Sequence, residues 1–335
     1  MRCAPTASLR VLAFGLVALA SLGSAQAQER SWRLELDGVF TQVRGHDQEL
    51  GSLNVEDAGG IPVLESEASV FSELDSDMLV HAGLERRLGR WGWALNGWWY
   101  DGADGSVDRV VSSDSANAVV VTVTTEALLP EVTAPDVASG QLKLRGTNHF
   151  EARSLDAEAR RELAGGDRGA FLLSAGLRLT GYRDERVESL GIRDNGSRRH
   201  AHVGVLRSSL LLGPVFGFHG DVRVGRHRFA GGLTQAIVFG AVDRDARYEE
   251  VAGGQLQRTT DFSDGRDVAI PLTELRLKWS FDLTSRWSFG AGFFGSIWWN
   301  APVAPIGATP VGPAQTPQQT LSIAGPMLTL TWTTN

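Results

Sequence analysis

Apolar and polar residues alternate with period two through nearly the whole chain, and this pattern restricts it to extended strands. From Trp32 to Phe40, the residues Trp32, Leu34, Leu36, Gly38 and Phe40 share one face, and Arg33, Glu35 and Asp37 share the other. From Pro271 to Phe281, Leu275, Leu277, Trp279 and Phe281 oppose Glu274, Arg276, Lys278 and Ser280. From Phe171 to Gly181, Leu173, Ala175, Leu177 and Leu179 oppose Ser174, Arg178 and Thr180. Successive side chains of a strand point to opposite faces, so such runs are the strand signal, and helical periodicity is nearly absent. Each run has the length of a tilted strand that crosses a bilayer, about 9–11 residues.

The mean hydropathy of −0.10 is that of a soluble protein. It does not exclude a membrane barrel, because the polar inner face cancels the lipid-facing residues in any average. The N-terminus decides the compartment. Arg2 and Arg10 give a positive start, Val11 to Leu22 is a short apolar run, and Ala25-Gln26-Ala27 supplies a small-x-small cleavage site. These features predict a signal peptide over 1–27 and an exported domain over 28–335. The one cysteine, Cys3, falls in the removed part, so no disulfide, thiolate metal site or cysteine nucleophile is expected. Loss of Arg2 and Arg10 takes the formal charge from −7 to −9, which argues against nucleic-acid binding. No later segment approaches the roughly 20 apolar residues of a membrane helix.

Short polar turns at Leu88-Gly89-Arg90, Ala164 to Gly169, Gly225 to Arg228 and Asp282 to Arg286 alternate with long polar stretches near 45–75, 102–146, 184–199, 244–267 and 301–319. Outer-membrane barrels have this asymmetry, short on the periplasmic side and long outside. The fold predicted is an all-β, antiparallel transmembrane β-barrel of about ten strands. They lie near 31–44, 76–87, 91–101, 147–163, 170–183, 200–223, 229–243, 268–281, 287–300 and 319–332, with both termini periplasmic. Eight or twelve strands remain open. The sixth segment is overlong, and either bends at Gly213-Pro214 or hides a hairpin; Ala118 to Thr125 is a candidate extra hairpin arm.

The tryptophans fall near strand ends. Trp32, Trp91, Trp93, Trp98, Trp99, Tyr100, Trp279, Trp287, Trp298, Trp299 and Trp332 are therefore expected to form two aromatic girdles at the membrane interfaces. Strands rise about 3.3 Å per residue, or roughly 2.5 Å along the axis when tilted, which sets Trp287 and Trp298 about 28 Å apart, near the thickness of the apolar band. The last strand carries Gly325, Leu328, Leu330 and Trp332, a glycine-then-alternating pattern suited to the outer-membrane assembly machinery, although Thr333-Thr334-Asn335 follow the terminal aromatic.

Three blocks carry a family resemblance: Ser174 to Thr180, Leu272 to Trp299 with Gly290-Ala291-Gly292 and the closing Trp298-Trp299-Asn300, and Leu321 to Trp332. They resemble the pore-forming outer-membrane proteins related to the Legionella major outer membrane protein, over about half of the chain. The resemblance implies a barrel that forms a pore. It assigns no individual functional residue.

The chemical motifs are weaker. Gly290 to Gly295 matches GxGxxG, but lies within an alternating run with no helix after it, so small residues on a barrel wall explain it better than nucleotide binding. His200 and His202 share one strand face and could share a metal, without a third ligand fixed by sequence. The acids Glu65, Glu67, Asp75, Asp77, Asp264 and Asp267 read as solvated loop charges. No cofactor or resident metal is expected. An outer-membrane hydrolase would need a nucleophile beside a base, and neither Ser174 nor Ser296 has a histidine near it in sequence.

The inner face is more informative: Arg33, Glu35, Asp37, Arg178, Glu274, Arg276 and Lys278 are the lumen-lining candidates. Charges of both signs there either line a water-filled passage or pair and plug a narrow barrel. The expected function is a small or gated pore for ions or small solutes, held among outer-membrane lipids. The alternative is a non-conducting structural or adhesive barrel that binds partners through its long loops.

Overall fold

In the computed structural model the described residues are 30–44, 48–57, 62–72, 77–102, 105–113, 117–120, 140–166, 168–193, 198–304 and 318–334. The predicted signal peptide lies outside them. Their strands are β1 (Arg30–Arg44), β2 (Gln48–Asp57), β3 (Pro62–Ser72), β4 (Asp77–Leu88), β5 (Trp91–Asp101), β6 (Gly105–Ser113), β7 (Asn117–Val120), β8 (Gly140–Gly166), β9 (Gly169–Arg193), β10 (Arg198–Ser208), β11 (Leu211–Val224), β12 (His227–Ala252), β13 (Gln255–Asp282), β14 (Trp287–Pro302) and β15 (Gln318–Thr333).

Ten of these close into an antiparallel ring, β1-β4-β5-β8-β9-β11-β12-β13-β14-β15, with β15 returning to β1 from Arg33↔Thr333 to Arg44↔Ser322. The chain is an antiparallel transmembrane β-barrel. Outside the ring, β6 pairs with the far part of β8, and β2, β3 and β7 form a separate three-stranded sheet. Of the proposed Ala118 arm, residues 118–120 pair with β2, and the rest lies outside the described residues. Four strands are far longer than a crossing requires. β8, β9, β12 and β13 have 27, 25, 26 and 28 residues, and their extra length lies at the end opposite the short turns.

The overlong sixth segment is one crossing broken by a bulge, because β10 and β11 both pair antiparallel with β9 and β12. The register changes from Arg207↔Arg183 to Leu211↔Thr180, which leaves one extra residue at 209–210. Side chains repair the ladder there. Ser208 Oγ accepts from Tyr182 N–H and donates to Tyr182 O, and Ser209 Oγ donates to Ala241 O. The bend expected at Gly213-Pro214 is a second, milder irregularity, where ladder partners to β12 are missing between Leu212 and Val215.

Alternation sorts the two faces. Leu36, Leu177, Phe216, Phe229 and Phe289 stand exposed on the outer wall, and Asp37, Arg178, Thr234 and Glu274 are buried inside. An apolar band of this extent would be costly in water and is suited to lipid. The aromatic girdle needs one correction. Trp98, Tyr100 and Trp298 turn into the lumen, at 5%, 0% and 0% exposure, because adjacent strand residues cannot face the same way. Trp99 and Trp299 are the outward members at the long-loop end. Trp32, Trp91, Trp93, Trp279, Trp287 and Trp332 lie on the outer face at the short-turn end, where Trp93 packs edge-on at 5.5 Å against Trp32 and Trp287 stands opposite Trp332. The outward span is thus Trp287 to Trp299, roughly 30 Å along the axis.

A narrow ring coils its strands tightly, and glycine is needed where backbones press together. A Cβ on Gly325 would lie 1.8 Å from the Phe40 carbonyl oxygen at the β1–β15 seam, and one on Gly213 would lie 1.8 Å from the Ile237 carbonyl oxygen. Each is followed by a proline, whose missing N–H falls where a ladder bond is absent. Gly325→Val is therefore expected to abolish the compact, heat-modifiable form on gels. Gly181→Ala, whose new methyl would meet nothing closer than 3.6 Å, should keep it.

Candidate functional site in the barrel interior

All seven sequence-predicted lumen residues lie inside the barrel. Arg178 on β9 is fully buried and bridges two strands: Nε and Nη2 donate to both oxygens of Asp156 at 2.6 and 2.5 Å, and Nη2 also donates to Glu274 Oε2 at 2.6 Å. Glu274 accepts a further bond from Trp98 Nε1 at 3.0 Å. Glu35 takes Arg33 at 2.9 Å and Lys278 at 2.5 Å. Asp37 lies 2.9 Å from His81 Nδ1 and 4.0 Å from Arg276. In a low-dielectric interior such groups are costly alone and tolerable when paired.

The sequence missed the other half of this network. Its predicted members comprise four cations and three anions. The structure adds Glu85, Arg87, Asp156, Glu158, Arg160, Asp221 and Arg228, which are three cations and four anions. The two sets cancel. Most of them line a cavity of about 130 Å³ toward the short-turn end. Arg160 and Glu85 lie 75 residues apart, and Lys278 and Glu35 243 apart, so only ring closure reveals the pairing.

Toward the long-loop end the character changes within one turn of the ring. Val39, Leu79, Val215, Val238, Ile270, Leu272, Leu321 and Ile323 are all fully buried. With them, aromatic rings cross the lumen in series: Tyr100 to Phe150 at 6.3 Å, Phe150 to Tyr182 at 6.3 Å, Tyr182 to Trp298 at 5.3 Å, Trp298 to Trp98 at 6.2 Å, and Trp98 to Phe294 at 6.2 Å. The chain after Trp299 completes the layer. Asn300 has a φ of 52°, a left-handed conformation that asparagine tolerates and β-branched residues resist. The β14–β15 register slips there, and Ala301, Pro302, Val303 and Ala304 turn inward and are buried. Ala301 and Pro302 still pair with Gln319 and Gln318 of β15, and two further hydrogen bonds hold the segment, Tyr182 Oη to Pro302 O at 2.9 Å and Ala304 N to Asp184 Oδ2 at 2.6 Å.

The other motifs fall as follows. Gly290 to Gly295 lies wholly within β14. His200 and His202 lie on β10, and their side chains are outside what is described. Ser174 Oγ, without a histidine near it in sequence, lies 3.1 Å from His219 Nε2 across the β9–β11 pair. The same nitrogen lies 3.5 Å from Glu158, whereas Nδ1 packs over Gly232. Serine and carboxylate thus meet one ring nitrogen, where a charge-orienting relay uses both. Ser296 Oγ reaches Glu274 and Trp98's neighbour Trp298. On the outer wall Asp101, His149 and Glu151 bring ligand-type atoms within 4.8 Å of one another, with His149 Nε2 at 3.0 Å from Glu151.

Removal of Arg178 leaves the buried carboxylates of Asp156 and Glu274 without the cation that pairs them. Arg178→Leu should cost about 3–5 kcal/mol in urea unfolding, and the triple change with Asp156→Leu and Glu274→Leu should recover much of it. A triple variant no more stable than the single one would count against a network held by ion pairing.

No protein family and no curated protein matches the sequence. Among solved structures, the outer membrane protease OmpT from Escherichia coli aligns with a TM-score of 0.49 and 10% identity, over 93% of this chain and 100% of that one. The Pseudomonas putida toluene transporter TodX aligns at 0.28 and 9%, over 91% and 90%. A Pseudomonas aeruginosa FadL homologue aligns at 0.26 and 9%, over 91% and 90%. The fold assignment rests on the closed ring of paired strands itself.

Proposed function

We propose that this protein is an outer-membrane β-barrel forming a small gated pore for ions or small solutes, closed at rest. The observation that carries this reading is the way the lumen is shut. A charged chamber in the short-turn half of the lumen stops at an apolar layer, and that layer includes four residues turned inward after a single left-handed asparagine. Apolar constrictions gate by excluding water, and the 301–304 segment continues the outer end of β14, where only Gln319 and Gln318 of β15 pair with it, so it is easier to withdraw than the middle of a barrel strand. The resemblance to the Legionella major outer membrane protein relatives supports a pore-forming role, and the export signal and apolar band support the outer membrane. Insertion would use the barrel assembly machinery acting on Gly325, Leu328, Leu330 and Trp332; of these, Gly325 lies at the closing seam, and Leu328 and Leu330 face outward.

A second reading is a non-conducting surface barrel that acts through its outer end. The length of β8, β9, β12 and β13 favours it, because two pairs of strands continue well beyond the membrane.

Planar-bilayer recording separates the two. Asn300→Val forces a β-branched residue into the left-handed region, at a cost of about 1–2 kcal/mol. It should raise the open population roughly tenfold over wild type, while Asn300→Gly stays closed. The double change Trp298→Ala with Phe294→Ala should conduct continuously. Silence in all three variants would remove the pore reading and leave the surface barrel.

A further inference from the structure

Beyond the apolar layer, on the long-loop side, the interior wall of β9, β10, β12 and β13 carries a second set of charges, of which Asp184, Arg186 and Arg244 are buried, Arg266 is half-buried and Asp264 is exposed. One register row places Asp184, Leu206, Arg244 and Asp264 side by side, with Arg186 and Arg266 each two residues away on β9 and β13. Three arginines face two aspartates among the described residues. Asp184 is already engaged by the Ala304 N–H and by Arg186 at 3.5 Å.

Arg244 and Arg266 carry the unmet demand. Arg244 is 3% exposed and reaches Asp264 through Nη2 alone, which leaves Nε and Nη1 buried without a partner. Arg266 is opposite Val242 in the next inward position, diagonal to Arg244, and its Nε and Nη2 are likewise buried without a partner. Diagonal neighbours on one sheet face lie about 7–8 Å apart, within reach of two long side chains. A buried charged donor left unmade is expensive. Water could accept the hydrogen bonds but would not neutralise Arg266, which forms no ion pair among the described residues. An oxyanion does both, and the planar guanidinium edge matches its oxygens.

We propose that Arg244 and Arg266 hold a small soluble oxyanion, a phosphate or carboxylate group, in the long-loop half of the barrel. The apolar layer closes the route from the short-turn end. β13 carries Arg266 outward beyond Thr273, which accepts a hydrogen bond from Trp299 of the outer girdle, so the site lies past the apolar band and the ligand is a solute rather than a lipid headgroup. This site does not depend on conduction.

Isothermal titration of the refolded full-length mature chain in detergent, with inorganic phosphate and separately with succinate, against chloride at matched ionic strength, tests it. Saturable binding of either oxyanion but not of chloride is expected, and the one that binds identifies the group. Arg266→Gln should weaken binding roughly ten- to hundredfold, the loss of a charge-assisted contact. Asp264→Asn frees Arg244 of its competing carboxylate and should tighten binding, a gain that a damaged fold would not give. The proposal is overturned if neither oxyanion binds the wild type, or if Arg266→Gln binds as the wild type does.

Discussion

In a bilayer there is no water to satisfy a stray backbone N–H or C=O, so a strand-built wall must close on itself. This structure shows what closure costs. At the β10–β11 break the ladder cannot be kept by backbone alone, and Ser208 and Ser209 replace the lost bonds with hydroxyls. At Gly213-Pro214 and Gly325-Pro326 a glycine lets two backbones approach, and the proline beside it has no N–H to leave unpaired. Each irregularity removes a ladder bond and each comes with residues that make the loss tolerable. The glycines and prolines of these strands are thus the means by which a ten-strand sheet bends into a ring.

Closure also decides what the interior must be. In so narrow a ring, inward side chains from opposite walls meet, and the polar half of the alternation has nowhere to go except into mutual contact. The chain answers in two ways along the axis. Toward the short turns it uses paired charges of balanced sign, each anchored across strands, as Arg178 is between Asp156 and Glu274. Beyond them it abandons polarity and fills the lumen with Trp98, Tyr100, Phe150, Tyr182, Phe294 and Trp298. An exchange of charge for aromatics at one level is the expected form of a seal, since water in the charged chamber has nothing to bond to above it.

The ring and its parity were legible because each depends on local periodicity. Leu34, Leu36 and Phe40 announce an outward face, and Arg33, Glu35 and Asp37 an inward one, whatever the neighbours are. The bulge at Ser209 was legible only as excess length, because a one-residue slip leaves no compositional mark. The tryptophans misled where two stood together: Trp98-Trp99 and Trp298-Trp299 cannot both face lipid, and parity with Ala94 and Phe294 already pointed the first of each pair inward. The pairing of Arg178, the Ser174–His219 contact and the turn at Asn300 were beyond reach. They depend on strands 22 to 96 residues apart, or on one φ angle.

The two charged layers also bear on how the lumen is closed. Asp184 belongs to the outer set, and its carboxylate accepts the Ala304 N–H, so the segment that completes the apolar seal is fastened to the same cluster that holds Arg186. Any change in the charge of that cluster acts on this contact, because Asp184 offers one oxygen, Oδ2, to both Arg186 and the Ala304 N–H. Arg244 lies in the same register row as Asp184, so an anion bound at Arg244 and Arg266 would act on that carboxylate through Coulomb's law. Coulomb coupling over such distances is strong in a buried site and weak in water. The inward 301–304 segment and the outer cluster therefore share one carboxylate, and a charge placed on one is felt by the other.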